Sequence, residues 1–386
     1  MTQTAEPATA APSAQRRHKT LVFHIGDRKT GSTSIQMAFA QNRIELKGSA
    51  VFYPTQLSHN WLKSHCQAYG AANRPVMRKQ AIAIFEKLAK RIRKSDADFC
   101  LISAESLEAV DPHVFHDIVT TYFATAADDI RVVAYVRPHA ARLLSNFAEQ
   151  TKIGSFRAGL EPYFRHVLSK ERLHYQQRFA AWRAVFGTQF TLRPMIRSQL
   201  VNGSVVDDFV EHAFGQSEFR VSGGAATNES LCLEDLMRLK VLQSRCARTP
   251  QKLRHALGWE FSRLVAALPP CQTRTRLQLH KALAGDIHAA YLKDARAIDQ
   301  QFFDGAPLLE TELDTALETA PETAQSVAPG DHFSAAEIRS LHLLSDIIAG
   351  MLENGGEKWL ASLKSRRIGT TNAGPEPGDD RPERPI

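Results

Sequence analysis

The run LVFHI at 21–25 is short, apolar apart from one histidine, and ends abruptly at Gly26. It is followed by GDRKTGSTS and then by a stretch that puts Ile35, Ala38 and Phe39 on one helical face. A strand with no polar alternation has to be buried on both sides, which calls for a parallel sheet with helices on each face. The rest of the first 215 residues fits that demand. Strands are expected at 50–53 (stopped by Pro54), 99–103, 131–136 and 189–192. Helices are expected at 76–94, 113–124, 138–152, 160–186 and 198–214. Strands alternating with helices imply βαβ units and an α/β domain of three layers around a central parallel sheet. Ligands of such sheets sit beyond the carboxyl ends of the strands. The informative residues are therefore those just after Ile25, Ser103 and Val136.

From about 227 to 303 the pattern is helical without strands. Residues 304–331 hold seven acids and no Lys or Arg, with Pro and Gly interspersed, and read as an acidic linker or loop. A helix is expected at 332–365. Residues 1–18 and 366–386 read as disordered tails, the latter too rich in Pro, Gly and charge to pack. The main unit is then a domain over 19–303 with a helical extension.

Composition narrows the function. The chain's 386 residues are 43% apolar and 23% charged, enough for a sizeable core. No run approaches the ~18 apolar residues of a membrane-spanning helix. The N-terminus lacks the apolar block of a secretory leader. Five cysteines with no CxxC spacing give neither a disulfide framework nor a zinc knuckle. A metal site is not expected, and a reducing, cytoplasmic location is. The net charge of +7 favours anionic partners. The basic run Lys87, Lys90, Arg91, Arg93 and Lys94 spreads around a helix, so it reads as a solvated face and not as a nucleic-acid surface.

The loop after the first strand carries the chemistry. A strand entering a helix through a Gly-containing loop presents backbone N–H groups and the helix's positive dipole end to an anion. Gly26 and Gly31 have the separation of the Walker A pattern G-x-x-x-x-G-K-[ST], but Ser32 and Thr33 follow directly. The lysine, Lys29, precedes the second glycine instead of following it. This is a phosphate-type loop poorly suited to holding Mg²⁺ and ATP.

HIGDRKTGSTSIQ resembles the 5′-phosphosulfate loop of the PAPS-dependent sulfotransferases, which commonly takes the form H-[IV]-G-x-x-K-[TS]-G-[TS]-[TS]-S. The resemblance implies that Lys29 meets the bridging oxygen and the transferring sulfuryl group. It also implies that Thr30, Gly31, Ser32, Thr33 and Ser34 line the cradle for the 5′-phosphate. Asp27-Arg28 departs from the family's usual apolar-Pro pair.

The strand at 131–136 leads into RPHAARLLS, which looks like the family's 3′-phosphate element R-x-P-x-x-R-x-x-S. Arg137 and Ser145 keep the eight-residue separation and take the 3′-phosphate roles by resemblance. The proline is one place early, at Pro138, with His139 in its usual position. Helical spacing independently puts Arg142, Ser145, Glu149 and Lys152 on one face, opposite Ala140, Leu143, Leu144, Phe147 and Ala148.

A hydroxyl acceptor needs a base near the loop. Glu105 follows the strand at 99–103, where similar sulfotransferases carry a glutamate; His59, His65 and His139 are lesser candidates. His24, on a strand, reads as structural. The segment 53–69, with Trp61 and His65, is placed to line an acceptor cleft.

Taken together, the resemblance implies a P-loop-like domain with C-terminal helical elaborations. It implies sulfuryl transfer from PAPS, without a metal, to the hydroxyl of a carbohydrate or other glycoconjugate. The alternatives are a P-loop nucleotide kinase and a non-catalytic protein that binds nucleotides or anionic glycans.

Overall fold

The structure, a computed structural model, describes residues 18–55, 57–71, 73–222, 231–269 and 275–372. In chain order its first half comprises β1 (Thr20–Gly26), α1 (Ser32–Ala40), β2 (Ile44–Leu46), β3 (Val51–Phe52), α2 (Leu62–Gly70), α3 (Pro75–Lys94), β4 (Phe99–Ser103), α4 (Pro112–Ile118), β5 (Asp129–Val136) and α5 (His139–Lys152). There follow α6 (Leu160–Leu168), α7 (Gln176–Phe186), β6 (Phe190–Pro194), α8 (Val205–Phe214) and β7 (Phe219–Val221). The C-terminal helices are α9 (Leu233–Arg245), α10 (Gln251–Ala266), α11 (Lys281–Phe302), α12 (Leu308–Glu318) and α13 (Ala335–Asn372).

Five strands form one parallel sheet in the order β3-β4-β1-β5-β6. All seven residues of β1 are buried, as its run of apolar residues around the one histidine demands. Side chains alternate along it. Leu21, Phe23 and Ile25 join one core with α3, α4, α5 and α7, while Val22 joins a second with Ile35, Phe39, Phe209 and Phe214 from α1 and α8. These are the two outer layers. From β1 the chain passes to β3 at the edge, returns to β4 beside β1, and then crosses to β5 on β1's other side. The sheet's topological switch therefore flanks β1, and the loop after β1 opens at the crevice where such sheets bind ligands.

The expected linker at 304–331 is corrected. Its acids lie mostly on α12, a helix whose Leu309 and Leu313 are buried against α11. Asp299 of α11 accepts the N–H groups of Leu309 and Glu310 and so caps α12. Arg296 and His288 of α11 pair with Glu310 and Asp314. Composition pointed to a loop, but the apolar spacing at 309, 313, 316 and 317 carries a helix.

Three boundaries also move. The expected helix at 160–186 is two helices, because Asp294 of α11 accepts the N–H groups of Tyr175 and Gln176 and starts α7 afresh. The helix expected from 198 begins at Val205, with Ser204 as its N-cap. Helix α13 continues to Asn372, so 366–372 is not tail. The tails expected at 1–17 and 373–386 lie outside the described residues. The short β2–β7 ribbon and helix α2 had no expectation.

Candidate functional site

The loop at 26–31 is shaped by three residues with positive φ: Gly26 (99°), Lys29 (62°) and Gly31 (81°). A Cβ on Gly26 would lie 2.8 Å from the Glu105 carbonyl oxygen, and one on Gly31 would lie 2.7 Å from Val205 Cγ1. Both glycines are required by conformation and by space. Gly26 thus brings the loop against the short helical turn at Glu105–Ala109, which follows β4.

Helix α1 begins at Ser32 with no side-chain cap. Among the described residues, none accepts a hydrogen bond from the N–H groups of Gly31, Ser32 or Thr33. These donors and the helix dipole make a site for an anion. The five residues expected to line it divide into two groups. Thr30 and Ser32 are buried, and their hydroxyls donate back to the Asp27 carbonyl. Gly31, Thr33 and Ser34 remain partly open to solvent.

Asp27, the departure from the family pattern, is the hub of the loop. Its carboxylate is fully buried and accepts Arg142 Nη2 at 2.9 Å and Arg178 Nη2 at 2.7 Å. The Arg28 N–H also donates to it, at 2.6 Å. Burial alone would raise its pKa; the two guanidiniums overcome that and hold it below the ordinary value. The Arg28 side chain pairs instead with Glu108, which also meets Arg178.

Helix α5 turns its polar stripe to the loop, as its spacing requires. Arg142 reaches Asp27, and Glu149 Oε2 lies 3.1 Å from Lys29 Nζ and 2.7 Å from Lys152 Nζ. Ser145, one turn from each of Arg142 and Glu149, sits on the same face, half-buried. Arg137, at the carboxyl end of β5, donates to the Lys29 carbonyl at 3.0 Å. Its own carbonyl accepts the Tyr175 hydroxyl. Among the described residues, no carboxylate pairs with Arg137. Burial, and then the neighbouring charge of Arg142, lower its pKa. Arg142, 5% exposed, has no partner for Nε and Nη1 among the described residues.

Around the loop stand Arg28, Lys29, Arg137, Arg142, Lys152 and Arg178 against Asp27, Glu105, Glu108 and Glu149, an excess of positive charge in a half-buried place. The Glu105 carboxyl has a raised pKa because of burial, moderated by Arg28, Lys29 and Arg142.

The histidines separate clearly. His24 is buried, bonded to Ser103 Oγ through Nδ1, and its pKa falls to about 3 through desolvation. His59 is buried and accepts the Ser103 N–H; its pKa also falls to about 3, again chiefly through desolvation. His139 is buried between Tyr175 and Tyr291 and bonded to Asp294 of α11. His65 lies at the surface, on the Trp61 carbonyl. Arg178, on α7, was not foreseen: 151 residues separate it from Asp27, and no local pattern announces the pair. Asp27 itself was the available signal, since an acid at the end of a buried strand needs a cation.

Among the described residues, no group of three or more His, Cys, Asp or Glu could hold a metal ion. Nor is any helix among them long and apolar enough to cross a membrane. The four described cysteines are buried and free; Cys271 lies outside the described residues. Comparison of the chain with family models, with curated proteins and with solved structures finds no match.

The arrangement can bind an anionic ligand with two charged ends. One end meets Lys29 and N–H groups with no acceptor among the described residues, the other Arg137, which has no carboxylate partner among them. The two positions adjoin, because Arg137 bonds to the Lys29 backbone. The orphaned Arg142 nitrogens and the excess of cations are what such a ligand would complement.

Proposed function

We propose that this chain is a sulfotransferase that moves a sulfuryl group from PAPS (3′-phosphoadenosine 5′-phosphosulfate) to an acceptor hydroxyl on a carbohydrate or glycoconjugate. The observation that carries the reading is Arg137. A half-buried guanidinium with no carboxylate partner among the described residues, next to a loop whose N–H groups have no acceptor among them, suits a nucleotide bearing a second phosphate. The positions of Lys29 and the loop glycines support it.

PAPS, when bound, supplies an activated sulfuryl group whose leaving phosphate must gain stabilisation as the S–O bond breaks. In this reading the N–H groups of Gly31 to Thr33 hold the 5′-phosphate, with Thr33 and Ser34 at its rim. Thr30 and Ser32 brace the loop by their bonds to the Asp27 carbonyl. Lys29 offsets the charge that develops on the leaving oxygen. Arg137 and Ser145 take the 3′-phosphate. Glu105, beside Gly26, accepts the proton that the acceptor hydroxyl loses, and its burial-raised pKa makes it a better base than an exposed glutamate.

A kinase reading lacks the lysine after the second glycine, where Ser32 stands. The test is calorimetric titration with PAP, ADP and ATP, with and without Mg²⁺. Metal-independent PAP binding, much tighter than that of ADP, is the expected result, followed by sulfation of an acceptor with labelled PAPS. ATP binding that needs Mg²⁺ and outcompetes PAP overturns the proposal in favour of phosphoryl transfer. Tight PAP binding with no sulfation of any acceptor points to a non-catalytic binding protein.

A further inference from the structure

Helix α13 is apolar on two opposite faces. One is buried: Ile338, Leu341, Ile348, Ala349 and Leu352 pack into cores built with α9 and α10. At about 100° per residue, Leu343, Leu344, Ile347 and Met351 fall on the other side of the helix. They are 64%, 58%, 54% and 68% exposed, respectively. Elsewhere among the described residues, large exposed apolar side chains stand singly or in pairs. A surface helix needs one apolar stripe, and the core already takes that of α13. The second stripe presents on the order of 400 Å² of apolar surface, a size that marks an interaction site.

Two glycines border this stripe. Gly350 and Gly355 lie inside the helix, where glycine weakens it, yet a Cβ on either would meet nothing within 4 Å among the described residues. Gly356 differs, since a Cβ there would strike Leu253 of α10. No contact within the described residues calls for the first two, whereas close approach of another helix does.

We propose that α13 is a dimerisation helix, pairing antiparallel with the α13 of a second copy of this chain about a two-fold axis between Ile347 and Ile348. The stripe is complementary to itself in that register. Ile347 meets the partner's Ile347, Leu343 meets the partner's Met351, and Gly350 leaves room for the partner's Leu344. The charges match too. Arg339 and Lys358 are exposed and have no ion partner among the described residues. Arg339 comes opposite the partner's Glu357, and Lys358 opposite the partner's Glu337. Within its own chain Glu357 has an exposed pair with Lys252, and Glu337 caps the helix through Ser334; both acids are open to a further cation. A parallel pair would set each of these charges against its own copy, like on like. From Ala335 to Lys358 the helix is ~36 Å long. Two helices in contact over that length bury on the order of the ~800 Å² per partner of a standard interface, with the stripe as core and the charges as rim.

The pairing does not depend on the sulfuryl-transfer reading, and its test needs no ligand. Sedimentation velocity of the full chain from about 1 to 100 µM should show a monomer passing into a dimer. Ile347→Glu puts two like charges at the axis and should weaken dimerisation by about 100-fold or more. Because Ile347 is exposed in the single chain, the far-UV circular dichroism of that variant should match that of wild type. Arg339→Glu should weaken the dimer by about fivefold, and adding Glu357→Arg should restore it to within about twofold. Under mild oxidation Ile347→Cys should cross-link to a covalent dimer above the wild-type background. Leu343→Cys should not, because antiparallel packing holds its two copies ~12 Å apart along the axis, beyond disulfide reach. A wild type that stays monomeric at all concentrations overturns the proposal and leaves the stripe to a different protein. A dimer indifferent to Ile347→Glu overturns it as well. Cross-linking of Leu343→Cys as readily as Ile347→Cys overturns the antiparallel register.

Discussion

Lys29 Nζ and Glu149 Oε2 lie 3.1 Å apart, joining the loop after β1 to a helix 120 residues further along the chain. Lys152 shares the same carboxylate oxygen, at 2.7 Å. Burial would raise the Glu149 pKa, but the two lysines hold it below its ordinary value, so it stays ionised. An anion entering the loop competes with Glu149 for Lys29. Glu149→Gln should therefore strengthen PAP binding by about threefold to fivefold, the worth of one partly exposed ion pair. Calorimetry on the variant checks this, and weaker binding would make Glu149 a group that positions the lysine for the ligand.

Arg137 gives a sharper contrast. Among the described residues its guanidinium has no carboxylate to leave, only the Lys29 carbonyl, so a second phosphate meets a cation that is already partly desolvated. Arg137→Ala should weaken PAP binding by about 100-fold, in keeping with ~2–3 kcal/mol for hydrogen bonds to a charged group. The same change should alter AMP binding, which lacks the 3′-phosphate, by less than about threefold. Arg137→Lys should fall between, because a lysine cannot form the planar two-point contact. Equal losses for PAP and AMP would assign Arg137 to the structure of the loop and not to the 3′-phosphate.

The parts of this fold that were legible in the sequence are those in which local pattern and burial agree. β1 and residues 132–136 of β5 are buried on both faces, and their nearly unbroken apolar runs say so. Helix α5 shows its two faces because Arg142, Ser145, Glu149 and Lys152 recur at helical spacing against Leu143 and Phe147. The shape of the loop after β1 was legible because glycine is needed where φ is positive and another backbone or side chain presses close, as at Gly26 and Gly31. The pairing of Asp27 was not, since Arg178 comes from a distant helix and the contact exists only after α7 docks. Helix α12 was hidden by its acids, two of which, Glu310 and Asp314, pair with Arg296 and His288 on α11.

Glu105 should set the rising limb of the pH–rate profile. A general base works when deprotonated. Burial keeps its proton on to higher pH than a free glutamate, while Arg28, Lys29 and Arg142 pull the value partly back. kcat/KM for sulfuryl transfer should then climb with pH through an inflection above the usual glutamate range of about 4.3. Glu105→Gln should lower kcat by about 100-fold or more and abolish that limb, with PAP affinity retained. A Gln variant that keeps the limb would shift the role to another group.

Asp27 should matter first for stability. Its carboxylate is the only negative charge bonded to Arg142 among the described residues, and Arg142 is buried with two nitrogens already unpartnered. Removing the charge leaves a buried guanidinium without compensation, a change that costs about 3–5 kcal/mol when one partner of a buried pair is deleted. Asp27→Asn should lose that much in urea unfolding at pH 7. The sign with pH follows from its depressed folded pKa: the contribution is present above the unfolded value of 3.8 and is lost as pH falls below it through the folded value. The wild-type advantage over Asp27→Asn should therefore shrink only below about pH 4. An advantage that instead disappears between pH 5 and 7 would mean that Asp27 is not the ionised partner of Arg142 and Arg178.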